Sequence, residues 1–198
     1  TNRPSAASPH QQHRISVIAM TAAPATIYGN RCSVELDSLH REIARLSPEQ
    51  RSMIRYSYQF MEAEATKNGL GLFVRLFSEY PQYKGIWPAF RQIPDSALIS
   101  SDQLRRHASV YMAGLKRIVD VMDDNEKLID ATRRIAASHC KWSICKFHIE
   151  HMVPGLLEVL NICMNRQITP EISHAWETLY DIIGNMIGLQ KGIRRPDP

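Results

Sequence analysis

The chain lacks most of the features that would make it a membrane, nucleic-acid-binding or disulfide-stapled protein. Its 198 residues hold four cysteines, Cys32, Cys140, Cys145 and Cys163, with no C-x-x-C pair and no zinc-ligand spacing. That pattern predicts free thiols in a reducing, cytoplasmic setting, with packing rather than chemistry as the role of Cys140. No apolar run approaches the roughly eighteen residues that a membrane-spanning helix needs. The stretch from Ile15 to Ala25 is weakly apolar and lacks a basic flank before a leucine-rich core, so it has no signal-peptide layout. The formal charge is only +4, and basic residues are scattered apart from Lys191, Arg194 and Arg195, which argues against nucleic acid as a partner. An initiating methionine is also missing, consistent with a piece of something longer. No alternating strand pattern occurs anywhere, which predicts an all-α chain.

What is present divides into three parts. Residues 1–45 read as a flexible extension: Pro4, Pro9 and Pro24 sit among Ser, Ala, Gln and His, which bury little. Within it, Leu36, Leu39, Ile43 and Leu46 predict a short helix near 34–46, packed on the main domain or on a partner. Residues 46–190 form the domain, and 191–198 a tail. Ser47-Pro48-Glu49-Gln50 has the form of a capping box, opening a helix to about Thr66 that Asn68-Gly69 then breaks. A second helix carries Leu72, Phe73, Leu76 and Phe77 and ends near Tyr80-Pro81. Ser100-Ser101-Asp102-Gln103 predicts another capping box, opening a helix to about Met122. Further helices are expected over 126–139, over 146–165 with a kink at Pro154-Gly155, and over 170–190 behind Thr169-Pro170-Glu171.

Two histidines stand out. Leu104, His107, Tyr111, Leu115 and Ile118 recur three or four residues apart and share one helical stripe; His139 follows Ile135 by four. An imidazole on an apolar face needs a partner, because an unpaired polar group there is costly. Core histidines bonded to backbone carbonyls satisfy that need, and on pattern alone are the commoner case. A metal held between the two helices, a haem iron above all, satisfies it as well. His148 and His151 flank Glu150 on another helix and read as partly solvated, since a metal site there lacks further ligands.

Several segments, in order, resemble the globin family across roughly 46–190. Leu76-Phe77-Ser78-Glu79-Tyr80-Pro81 looks like the Leu-Phe-x-x-x-Pro of the second globin helix. Trp87 and Phe90 fall six and nine residues past Pro81, where globins place two haem-contacting aromatics. Gln103-Leu104-Arg105-Arg106-His107-Ala108 is similar to the distal-histidine helix, Ser138-His139 to the proximal pair, and Thr169-Pro170-Glu171 with Ala175-Trp176 to the start of the last helix. With its long extension, the chain looks most like nematode or neuronal globins.

The resemblance implies a three-over-three helical sandwich around haem b. It implies His139 as proximal ligand, its Nδ1–H held by the Ile135 carbonyl or the Ser138 hydroxyl, and His107 on the distal side. Implied haem contacts are Phe73, Phe77, Trp87, Phe90, Tyr111, Ile135, Ser138, Trp142, Ile144, Ile149 and Met152, with Arg91 and Arg106 at the propionates. Three positions depart from the usual pattern. Trp87 stands where most globins have phenylalanine, Tyr111 where valine is usual, and Phe73 where a smaller side chain often leaves room. A distal pocket this crowded favours a bis-histidyl iron with His107 as sixth ligand. Tyr111 is then an aromatic filler whose hydroxyl bonds elsewhere, or else a donor to bound ligand. The function implied is redox or gas sensing or electron transfer, in a monomer or homodimer, with O2, NO or CO as ligands and a signalling partner reached through the extension. The rivals are a pentacoordinate oxygen store, a nitric-oxide- or nitrite-converting or peroxidase-type enzyme, which needs a reductant, and a haem-free interaction domain on the same fold.

Overall fold

The computed structural model describes the backbone of residues 36–194 and the side chains of 36–192. The proline-bearing arm, Cys32 and the last four residues lie outside the described residues. The described chain enters in helix (α1, 36–43) and continues as α2 (Pro48–Glu62), α3 (Ala65–Glu79), a 3-10 turn (Pro81–Ile86), α4 (Asp95–Leu98), α5 (Asp102–Asp120), α6 (Asn125–Cys140), α7 (Lys146–Glu150), α8 (Val153–Cys163) and α9 (Pro170–Arg194). No strand occurs among the described residues, and none of their helices is long and apolar enough to cross a membrane.

The helix starts follow local chemistry. Ser47 Oγ accepts from the Gln50 amide while the Gln50 side chain accepts from the Ser47 amide, a reciprocal cap at α2. Ser101, not Ser100, caps α5: its hydroxyl accepts from Leu104 N–H, and with leucine three residues on there is no reciprocal box. Thr169 Oγ1 accepts from Ile172 N–H at α9.

Two predicted breaks fall elsewhere. Asn68-Gly69 does not end a helix; the break is at Ala63 and Glu64, and Asn68-Gly69 lies inside α3. Asn68 Nδ2 donates to the Met61 carbonyl at 2.8 Å, satisfying the end of α2. Gly69 is needed for the crossing with α5, since a Cβ there would lie 3.0 Å from the Ala108 carbonyl oxygen and 3.0 Å from Met112 Cγ. Pro154 does not kink one long helix. It sits in the first turn of α8, separate from α7, where its missing N–H has no intrahelical acceptor to lose.

Helices α2, α5 and α6 lie over α3, α7–α8 and α9, with α9 packed against α2, α6, α7 and α8. Trp176 is fully buried and donates through Nε1 to Ser57 Oγ at 2.9 Å, joining α9 to α2. The α1 helix packs on this body through Leu39 and Ile43, and the turn after it through Leu46, all buried. Arg51 secures the junction. Its buried guanidinium donates to the carbonyls of Leu46 (3.1 Å), Met122 (2.6 Å) and Ile43 (3.2 Å). The α9 helix continues past the expected start of the tail at 191, to Arg194.

Candidate functional site

Where α5 and α6 diverge above α7 and α9, they leave a cavity of about 650 Å3, within the roughly 300–1,000 Å3 typical of cofactor sites. Its walls are largely apolar: Phe73 and Trp87 on one side, Ile135 and Trp142 on another, and Ile144, Ile149 and Met152 along the floor. His107 enters from α5 and His139 from α6.

On the α6 side, His139 Nδ1 donates to the Ile135 carbonyl at 2.8 Å. The alternative orienting group is otherwise engaged, because the Ser138 hydroxyl donates to the Arg134 carbonyl at 3.0 Å and stands at the cavity rim. With Nδ1 carrying the proton, Nε2 holds a free lone pair, and no described residue donates to it. Burial pulls the His139 pKa down, against the opposing pull of the Ile135 carbonyl. The ring therefore stays neutral, the form that binds metal.

On the α5 side, the His107 ring centroid lies 4.8 Å from Phe73, 5.2 Å from Trp87 and 5.9 Å from Phe90. Neither of its ring nitrogens has a hydrogen-bond partner among the described residues. Burial, and then the proximity of His139, push its pKa down to about 4, so it too is neutral. Two neutral imidazoles from opposite helices keep open nitrogens toward one largely apolar cavity, where they are accessible to whatever fills it. A haem iron could be held by this donor set, and the aromatic and aliphatic walls suit a porphyrin ring; the residues present fit the cofactor.

Of the eleven predicted cofactor contacts, nine line the cavity: Phe73, Trp87, Tyr111, Ile135, Ser138, Trp142, Ile144, Ile149 and Met152. Phe77 and Phe90 do not line it. They stand behind Trp87, with centroids 5.6 and 5.5 Å from it, because the larger indole occupies the wall that the sequence pattern assigns to Phe90 as well. Trp142 is half exposed in the turn after α6, which Ser143 reverses with φ of 59°. The Tyr111 hydroxyl is engaged by a hydrogen bond with that of Tyr180. Arg91 and Arg106 are not at the cavity; the arginines on its lining are Arg117 and Arg134, one helical turn or more from the two histidines.

Tyr83, Tyr180, Ile183 and His148 line the cavity and went unpredicted. Tyr180 follows Trp176 by four residues, a spacing that could have placed it on the inward face of α9. His148 is turned by its own backbone: its Nδ1 accepts from Cys145 N–H at 3.0 Å. No cluster of three or more candidate metal-binding side chains exists among the described residues.

A two-layer helical sandwich with a histidine pair facing one cavity defines a cofactor-binding all-α class. The family model described as Globin matches residues 70–187, and the chain belongs to the globin family. Cytoglobin-1 of Oryzias latipes is 27% identical over 151 residues, 75% of this chain and 85% of that protein. A globin of Nerita albicilla is 23% identical over 146 residues, covering 74% and 93% of the two chains. In fold, the chain is similar to haemoglobin from the botfly Gasterophilus intestinalis, with TM-score 0.68 and 17% identity over 74% of this chain and 99% of that one. The globin fold expected from the sequence is thus present, and family membership carries haem and gas binding as its common chemistry.

Proposed function

We propose that the cavity holds haem b with His139 as proximal and His107 as distal axial ligand, and that the protein serves redox or gas sensing or electron transfer. The observation that carries this is the pair of open imidazole nitrogens facing one apolar cavity, neither met by a protein donor. The b-type assignment rests on the absence of a C-x-x-C pair that would attach the porphyrin covalently. Bound there, the iron supplies one-electron redox chemistry and affinity for diatomic gases.

The residues perform separable tasks. The Ile135 carbonyl fixes the His139 tautomer and turns Nε2 inward. Phe73, Trp87 and, behind them, Phe90 pack around His107 and restrict the room for a free ligand beside it. Tyr180 keeps the Tyr111 hydroxyl engaged. This arrangement supports direct ligation by His107, in keeping with the crowding by Phe73, Trp87 and Tyr111. A sensing role draws on the extension, whose last segment, α1, is docked on the body and so offers a route from a partner to the cavity.

One observation favours a second reading, reversible oxygen binding at a five-coordinate iron. A neutral His107 is also suited to donating a hydrogen bond to bound oxygen. Carbon monoxide association with the ferrous protein separates the two. Under bis-histidyl ligation the rate saturates with CO concentration, limited by release of His107, and becomes linear in His107→Ala. A linear dependence in the unmodified protein favours the oxygen-binding reading.

A further inference from the structure

Cys140, Cys145 and Cys163 fall among the described residues, and they differ in what their sulfurs meet. Cys140 Sγ donates to the Ile187 carbonyl at 3.7 Å. Cys163 is half-buried in α8, where burial pushes its thiol pKa up. Lys67, the lysine near Cys163, is taken by Glu64 at 2.5 Å. Cys145 Sγ lies 3.0 Å from Lys191 Nζ, across 46 positions of sequence. Its other contact is longer, 3.5 Å to the Ser143 carbonyl. Lys191 makes no ion pair among the described residues, so this sulfur is the partner that its amine has there. Both side chains are half-buried, which leaves a small solute room to reach the sulfur.

A hydroperoxide turns a cysteine into a sulfenic acid, and a sulfenic acid condenses with a thiol or a nitrogen nucleophile that can reach it. Cys145 has a primary amine in contact, and holding two reactants together replaces a chance encounter with an intramolecular step. We propose that Cys145 and Lys191 form a reversible cross-link, in which a hydroperoxide joins Sγ to Nζ as a sulfenamide and thiols of the glutathione class undo it. This chemistry is independent of what fills the cavity.

In the first step the Cys145 sulfur, its proton lost to solvent, attacks one oxygen of ROOH. The O–O bond breaks, an S–O bond forms, and RO⁻ takes a proton from solvent to leave as ROH; sulfur is oxidised by two electrons. In the second step Lys191, its ammonium proton lost to solvent, attacks the same sulfur through Nζ. The S–O bond breaks, an S–N bond forms, and the oxygen leaves as water with one proton from nitrogen and the one it already held. The sum is one thiol, one amine and one ROOH giving one sulfenamide, one ROH and one water. Two thiols reverse it, restoring Cys145 and Lys191 and leaving as their own disulfide. The cross-link has a structural consequence. Cys145 stands at the start of α7, its amide donates to His148 Nδ1, and Ile144, His148 and Ile149 line the cavity. Lys191 belongs to the last turns of α9. Oxidation therefore pins the cavity floor to the end of α9, removes the Lys191 charge from beside it, and restricts the unfolded chain as a disulfide would.

The test treats the full chain with hydrogen peroxide, alkylates the remaining thiols and maps the peptides by mass spectrometry, with thermal unfolding followed in parallel. The expected product joins the peptides of Cys145 and Lys191 with the loss of two hydrogen atoms, and dithiothreitol reverses it. Lys191→Arg keeps the positive charge but not a nucleophilic amine. There the cross-link should vanish, and dimedone should trap Cys145 as its sulfenic acid instead. The thermal midpoint should rise on oxidation of the unmodified protein and in neither Lys191→Arg nor Cys145→Ser. A Cys145 that stays a free thiol, forms a disulfide with another cysteine, or is oxidised to sulfinic acid with no link to Lys191 overturns the cross-link. So does trapping by dimedone that is equal in the unmodified protein and in Lys191→Arg. Failure of the chain to take up haem bears on the cofactor reading alone and leaves these outcomes unchanged.

Discussion

Arg51 is a cation buried without a carboxylate, held by the carbonyls of Ile43, Leu46 and Met122. Burial pulls its pKa below the usual guanidinium value, yet arginine remains charged at any working pH. Arg51→Met keeps the stem but strands those carbonyls, and denaturant unfolding should show a loss of about 3 kcal/mol. Tyr180→Phe makes a subtler demand. It leaves the Tyr111 hydroxyl without its partner in an apolar wall, with an expected loss of about 1–3 kcal/mol by the same measurement; Tyr111→Phe combined with it should recover part of that loss. The two cavity histidines were legible in the sequence because each falls on an apolar helical stripe, where a polar ring demands explanation. Tyr83 and Tyr180 were not. Their hydroxyls are satisfied by residues 68 and 69 positions away, and no local spacing encodes such partners.

At the scale of elements, the α3–α5 crossing sets the position of His107. Gly69→Ala drives a methyl group against the Ala108 carbonyl, part of α5 itself, so the helices must separate. The expected destabilisation is about 1–3 kcal/mol, with an altered haem spectrum as the companion readout. Gly188→Ala is the control: its Cβ meets nothing within 4 Å in α9, and the change should stabilise the helix by about 0.5–1 kcal/mol. Ion pairs tie the turn after α1 to α9, and α9 to α7. Asp181 accepts from Arg45 and from Lys146, each at 2.5 Å. Burial raises the Asp181 pKa, but those two cations outweigh it and hold the carboxyl below its ordinary value. A depressed pKa contributes stability above the unfolded-state value near 4 and loses it as pH falls through the folded value. The stability gap between the native chain and Asp181→Asn should therefore narrow as pH drops below about 4, measured by urea unfolding at successive pH. His40 is the opposite case. Its hydrogen bond to Glu126 at 2.7 Å raises its pKa, so the tie between α1 and α6 is present at low pH and weakens as pH rises through that value; its NMR titration midpoint should lie above 6.5. Helix periodicity and Ser/Pro capping made most of these elements legible beforehand. The misplaced breaks came from reading Asn68-Gly69 and Pro154-Gly155 as local punctuation. Gly69 answers to a tertiary crossing, and Pro154 to a helix start without a strong capping residue.

For the whole molecule, the sequence order of capping boxes, aromatics and histidines was enough to indicate a globin sandwich, and the described helices adopt it, with the family model matching 70–187. Which arginines reach the cavity, and which aromatics form its surface rather than its backing, depend on packing among helices that no single stretch specifies. Two consequences belong to the molecule as a unit. Cofactor bound to the folded state alone adds RT ln(1 + [L]/Kd) to stability, so removing haem should lower the thermal midpoint substantially. The central claim, that His107 and His139 together hold the iron, meets its most direct test in the visible spectrum of the dithionite-reduced protein under nitrogen, alongside His107→Ala. A low-spin ferrous spectrum with sharp, split bands, lost in the variant, is the predicted result. A broad high-spin band in the unmodified protein, unchanged by the substitution, would contradict it.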